Sequence, residues 1–192
     1  VTGSGKTIMA MYAVSDYINK HPDAIISVIV PTKVLMYQWA ETFAEILGLG
    51  EDIIGLRGDG FKDSFKIGKL VLVTIIDSAR QGVLEADVNT LPDSVPHLLI
   101  ADECHRYGGE ANRTVFNTRH DGILGLSATP PADEEEVDGD ELTNAQFVLE
   151  RIGGVFYNLR YKEALEQELI SPFEVQYVTI PLQPQEDLLY AA

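Results

Sequence analysis

Two short groups of residues are of the types, and in the order, that phosphate chemistry needs. Gly3, Ser4, Gly5, Lys6 and Thr7 form the distal part of the pattern G-x-x-x-x-G-K-[ST]. In such a turn the glycines let backbone N–H groups wrap phosphates, the lysine neutralises their charge and the threonine hydroxyl ligates Mg²⁺. A helix directly after the turn aims its N-terminus at the same anion. Asp102 and Glu103 follow an apolar run at 97–101, so they sit where a strand ends and a ligand crevice is expected. There one carboxylate can hold Mg²⁺ through its water shell, and its neighbour can orient and deprotonate the water that attacks a terminal phosphate. Asp102 is assigned to the metal and Glu103 to the base. Each group alone has a plainer reading, a Gly/Ser turn before a helix and a pair of surface acids. Each also calls for the other as its partner.

These residues need a scaffold, and the hydropathy pattern supplies one. Ile8, Met11, Tyr12 and Ile18 fall on one face of a helix running to about Asn19, which His21-Pro22-Asp23 stops. Residues 24–30 are nearly continuously apolar and β-branched, as in a strand covered on both faces of a parallel sheet. Leu35, Trp39, Phe43 and Leu47 recur every fourth residue, an amphipathic helix that Gly48 and Gly50 close. That spacing makes Trp39 a core residue rather than a platform for a base. Further strands are expected at 53–56, 70–75, 97–101, 122–127, 155–159 and 173–180. Strand and helix alternate, which indicates an α/β layered domain with ligands beyond the carboxyl ends of its strands. The first Gly of the phosphate pattern falls just before Val1, so the chain starts within the motif and the strand that feeds the loop is absent. The loop is therefore expected to be less well fixed than in an intact protein.

Composition narrows the classes. The 192 residues, 45% hydrophobic, are enough for one large core. The lone Cys104 excludes an internal disulfide and any multi-cysteine metal site. It reads as a small buried hydrophobe, not a nucleophile. No apolar stretch reaches the roughly 18 residues of a membrane span, which points to a soluble, cytoplasmic protein with no membrane partner. A net charge of −16 runs against nucleic-acid binding, but seven of the thirty acidic residues lie between Asp133 and Glu141. Segment 132–141 is thus a solvated loop and a candidate surface for a protein partner. Arg57, Lys62, Lys66 and Lys69 are interrupted by Asp59 and Asp63, and read as a solvated face.

At Gly3–Thr7, Asp102-Glu103-Cys104-His105 and Ser127-Ala128-Thr129 the chain resembles superfamily 2 helicases and translocases, in the DECH-box variety, where these are motifs I, II and III. Pro31-Thr32-Lys33, with Gln38-Trp39 downstream, resembles motif Ia. The finer resemblance, through Gly125-Leu126-Ser127-Ala128-Thr129-Pro130 and the stretch from Ile152-Gly153-Gly154 to Ile170-Ser171-Pro172-Phe173, is to XPB-type helicases and the helicase subunits of type III restriction enzymes. The resemblance implies a RecA-like P-loop NTPase three-layer sandwich with a mostly parallel sheet, lacking the first strand before the phosphate loop. Residues 1–181 would be the first RecA-like lobe and 182–192 the start of a linker towards a second lobe.

It further implies ATP and Mg²⁺ as cofactors, with ATP hydrolysis coupled to movement on or unwinding of nucleic acid, DNA rather than RNA. Gly3, Ser4, Gly5, Lys6 and Thr7 would bind ATP, with Lys6 and Glu103 catalytic and Thr7 and Asp102 on the metal. His105, Ser127 and Thr129 would couple nucleotide state to nucleic acid, and Pro31, Thr32 and Lys33 would contact its backbone. His105 alone reads equally as a structural hydrogen-bonding group. The family's second lobe supplies an arginine finger worth a rate factor of about 10³ or more, so the isolated chain is expected to be weakly active. The compartment implied is cytoplasmic, nucleoid-associated or nuclear by source. The competing classes are another P-loop NTPase, such as a GTPase or small-molecule kinase, and a nucleotide-gated interaction module.

Overall fold

The computed structural model describes residues 5–129, 143–172 and 176. Six strands, β1 (Ile25–Val30), β2 (Ile54–Gly58), β3 (Phe61–Lys62), β4 (Val71–Ile75), β5 (His97–Asp102) and β6 (Gly122–Leu126), form one sheet in the order β3-β2-β4-β1-β5-β6. Every pairing is parallel except the short β2–β3 hairpin. Among the described residues six α-helices accompany them: α1 (Lys6–Lys20), α2 (Lys33–Leu47), α3 (Ile76–Ala79), α4 (Val83–Val88), α5 (Asn144–Ile152) and α6 (Tyr161–Glu166). This is the mixed α/β, mostly parallel architecture expected of a RecA-like lobe. None of the described helices is long and apolar enough to cross a membrane.

The sheet separates two cores, and the strand alternation explains how. Every residue of β1 is buried. Ile26, Val28 and Val30 join Met11, Val14, Met36, Trp39 and Phe43 under α1 and α2, while Ile25 and Ile29 join Leu72, Leu99, Tyr107, Phe116 and Val148 on the opposite side. A strand with both faces covered has no polar face to show, so its sequence is a continuous apolar run. The one polar residue of β1, Ser27, is matched by His97 of β5, whose Nε2 lies 2.9 Å from Ser27 Oγ. His97 N–H donates to Asp121 and its Nδ1 meets the Arg119 carbonyl, so the buried ring is fully partnered.

α2 begins with Thr32 as its N-cap, accepting from Leu35 N–H at 3.3 Å, and ends as expected at Gly48, in the left-handed region. α1 ends before His21. Its buried face corrects the sequence reading, however. Met11 is buried, but Ile8 and Tyr12 are exposed, and Ala10 and Val14 take the inward positions. Small residues let α1 lie close on the sheet, and the larger apolar groups were misleading guides to the inward direction.

A second correction concerns 155–159, expected as a strand. These residues carry no regular structure, with Val155, Phe156 and Tyr157 all exposed. β-branched and aromatic residues favour a strand only where a neighbouring strand receives them. The stretch instead lines a cavity of about 320 Å³ with Met9 and Ala13 of α1 and Leu126 of β6. The strand expected at 173–180 lies outside the described residues except for Gln176, which is irregular. The linker at 182–192 lies outside them too.

Two glycines set how closely α5 approaches. A Cβ on Gly108 would stand 2.2 Å from the Asn144 backbone oxygen, and one on Gly125 would stand 2.8 Å from Ile152 Cδ1. At Gly108 only glycine lets the two backbones meet, while at Gly125 the missing Cβ leaves room for the Ile152 side chain.

Candidate functional site

The parallel register brings the carboxyl ends of β1, β4, β5 and β6 to one side of the sheet, where Val30 pairs with Ile75 and Asp102 with Leu126. The residues following those ends are Pro31-Thr32-Lys33, Glu103-Cys104-His105 and Ser127-Ala128-Thr129. α1 starts on the same side. Gly5 caps it with φ 82°, a conformation that favours glycine, and the Met9 N–H donates to the Gly5 carbonyl at 2.9 Å. Lys6 and Thr7 occupy the first turn, both half-buried. Gly3 and Ser4 lie outside the described residues, as does the loop's expected looseness. The acidic segment 132–141 is outside them as well.

Asp102 is the most deeply embedded acid of this group, 6% exposed. Trp39 Nε1–H donates to its Oδ2 at 2.8 Å, and the Glu103 N–H donates to its Oδ1 at 3.0 Å. The Tyr107 hydroxyl, itself buried, lies 2.7 Å from the Asp102 carbonyl and 2.9 Å from the Ile29 carbonyl, tying the ends of β5 and β1. Burial pushes the Asp102 carboxyl up, an effect opposed by the Trp39 hydrogen bond, reinforced by the Glu103 charge, and opposed again by the charge of Lys6. The lysine of the first motif thus acts electrostatically on the acid of the second.

Directly after Asp102 the chain turns sharply. Glu103 has φ 52° and ψ 47°, left-handed backbone for a residue with a side chain, which costs about 1–3 kcal/mol. The turn throws the chain out of β5 into a 3-10 turn, Cys104–Tyr107. Cys104 is buried behind Gly125, and burial pushes its thiol up to about 11. A thiol so held is a packing group, as its sequence context suggested.

His105 reaches across to β6. Its Nδ1 lies 2.9 Å from Ser127 Oγ and 3.5 Å from Glu103 Oε2. Ser127 Oγ donates its one proton to the Thr129 carbonyl at 2.6 Å and accepts from the Thr129 N–H at 3.1 Å. The hydrogen at this junction must therefore come from histidine, with Nδ1–H donating to Ser127. The DECH and SAT groups are joined by one hydrogen bond.

The residues following β1 are arranged differently. The Thr32 hydroxyl is spent as acceptor in the α2 cap and keeps its own proton to donate. Lys33 Nζ, largely solvated, lies 3.7 Å from Oδ1 of the partly exposed Asp59. Arg57, from the basic cluster, is turned inward, its Nε donating to the Asp63 carbonyl at 2.8 Å and its Nη2 lying 3.9 Å from buried Asp87. The Trp39–Asp102 bond is the feature that sequence reasoning missed. The helical spacing that placed the indole in the core says nothing about where its N–H points. A buried indole N–H does need an acceptor, and that was the available signal.

Comparison with known proteins bears on the family and the fold. The family model for the type III restriction enzyme res subunit matches residues 1–132. Activating signal cointegrator 1 complex subunit 3 is 32% identical over 142 residues in both Rattus norvegicus and Homo sapiens, covering 66% of this chain. The chain spans only 6% of the length of those relatives. The Pyrococcus furiosus Hef helicase domain superposes with a TM-score of 0.60 at 23% identity, covering 79% of this chain and 31% of that one. For the UvsW helicase of bacteriophage T4 the TM-score is 0.58 at 19% identity, with 78% and 49% covered. At those identities the solved structures establish the fold alone. With the family match over more than half its length, the chain belongs to the type III restriction enzyme res subunit family, and its fold is that of a RecA-like helicase lobe.

Proposed function

We propose that this lobe binds ATP with Mg²⁺ at the carboxyl side of its sheet and couples hydrolysis to movement on, or unwinding of, nucleic acid, DNA rather than RNA. One observation carries the reading: Gly5-capped α1, the Asp102–Glu103 pair and the His105–Ser127 bond stand together at the ends of β5 and β6.

The donor set suits a hard cation. A carboxylate offers about four acceptor positions, and Asp102 spends two, one to Trp39 and one to Glu103 N–H. Asp102, with the Thr7 hydroxyl, would hold Mg²⁺, which would neutralise phosphate charge and orient the nucleotide. The turn from Gly3 to Thr7 would wrap the phosphates with backbone N–H groups, and Lys6 would lend its charge to the terminal ones. Glu103 would take the proton from the water whose oxygen attacks the γ-phosphorus as ADP leaves. Its left-handed backbone supports a functional demand at this position, since strain is retained where the surroundings fix it. His105 is the residue through which a change at Glu103 would reach Ser127 and Thr129, the coupling role the resemblance assigns. Pro31, Thr32 and Lys33 would meet the nucleic-acid backbone, Thr32 by its free hydroxyl proton and Lys33 in exchange for Asp59. The second lobe and a protein partner at 133–141 belong to the same proposal.

The test is single-turnover hydrolysis of ATP by the 192-residue chain, with duplex DNA, RNA or neither. The expected pattern is slow hydrolysis, nucleotide binding lost in Lys6→Ala, and binding kept but turnover lost in Glu103→Gln. Wild-type hydrolysis by Glu103→Gln would remove the base from Glu103, and equal rates with and without nucleic acid in a protein carrying both lobes would favour another P-loop NTPase.

A further inference from the structure

Trp39 does more than fill the core under α2. It is the single tryptophan of the chain, fully buried, and packs at 5.9 Å from the Phe43 ring. Packing alone would be satisfied by a phenylalanine. The indole instead spends its one polar atom on a side-chain carboxylate 63 positions away, although backbone carbonyls are the more frequent acceptors. A hydrogen bond to a charged acceptor is about twice as strong as a neutral one. Here it acts on a group whose opposite oxygen is already held by the next residue's N–H. With one oxygen pinned from α2 and the other from its own chain, the Asp102 carboxylate has a single orientation.

We infer that Trp39 is a positioning residue for Asp102, orienting the carboxylate for a divalent cation, and that its indole reports on that carboxylate. The inference rests on the reading of Asp102 as a Mg²⁺ site. α2 leads directly out of the Pro31–Lys33 segment, so the indole also connects the helix that follows β1 to the acid that ends β5. Outer partners of this kind typically cost 10–100-fold in metal affinity when removed.

The experiment measures ADP binding to the 192-residue chain by equilibrium dialysis, with Mg²⁺ and with EDTA, and takes the ratio of the two affinities. In Trp39→Phe the ratio is expected to fall about tenfold or more. In Phe43→Leu, which loosens the same core, stability falls and the ratio stays. An unchanged ratio in folded Trp39→Phe overturns the positioning role. No Mg²⁺ dependence in the wild type overturns the reading of Asp102 itself, and the inference with it. Should Trp39→Phe not fold, tryptophan emission decides, because one residue supplies all of it. Asp102→Asn is expected to shift the emission maximum without any ligand, and Mg²⁺ with ADP to change the wild-type emission where ADP with EDTA does not. Emission indifferent to Asp102→Asn overturns the contact while leaving the Mg²⁺ reading standing.

Discussion

Among the described residues two aspartates are buried, and their surroundings differ in kind. Asp87 of α4 accepts from Ser64 Oγ at 2.7 Å and from the Phe65 N–H at 3.0 Å, and Arg57 Nη2 lies 3.9 Å away. Its neighbours come from the loop before β4 and from β2, so the carboxylate knots three segments of backbone. Asp102 at the end of β5 accepts one bond from an indole and one from its own neighbour, beside a second acid, and burial pushes it up. The first is an acid whose charge is matched by the fold. The second is an acid the fold orients, and whose rise on burial the charge of Lys6 opposes without cancelling. Burial alone therefore does not mark a functional carboxylate, whereas burial with partners that constrain direction and leave acceptor capacity does.

The largest effect that could break this contrast is at Asp87. Asp87→Ala strands the Phe65 N–H, the Ser64 hydroxyl and a mostly buried guanidinium, and is expected to cost about 3–5 kcal/mol in urea unfolding. ADP affinity per folded molecule should be unchanged, and a selective loss of nucleotide binding would give Asp87 a site role. Next comes acid sensitivity from the other fully partnered polar residue. Burial pushes His97 down from 6.5 to about 4, so the folded state favours the neutral ring. Its stabilisation is complete above pH 6.5 and is lost as pH falls towards 4, by about 3 kcal/mol in all. Urea midpoints between pH 7 and pH 5 should fall in the wild type, and a flat profile would show that His97 takes up its proton in the fold. The smallest expected change is that of Asp102→Asn, within about 0.5 kcal/mol of the wild type, because removing the charge also removes its burial cost. A loss comparable to that of Asp87→Ala would make Asp102 structural as well.

The acids that the sequence could point to were those in motif order. Asp102 follows an apolar run and stands after a Gly-Lys-Thr turn; a continuous apolar run located β1, periodicity located α2, and the glycine at 48 located its close. Asp87 gave no such signal, since an acid in Val83–Val88 reads as the solvated face of a short helix. Its partners are 22 and 23 positions away, at Phe65 and Ser64. The Trp39–Asp102 bond was hidden for the same reason, because hydropathy periodicity records which side of a helix is apolar but not the direction of one N–H. Residues 155–159 failed in the opposite way. Their side chains have the local preference for a strand, but among the described residues no neighbouring strand takes them up, and they run as an irregular segment.

The central position of β1 has a consequence for how the chain folds. Ile26 pairs with Val71 and Ile25 with His97, so the strand that holds the sheet together receives its partners only after long intervening segments are made. Closing those loops is an entropic cost met before the pairing returns anything, which makes parallel sheets of this kind slow to form. Until β4 and β5 arrive, the Ile25–Val30 run is an apolar strand without neighbours on either edge, the species most open to misassembly during synthesis.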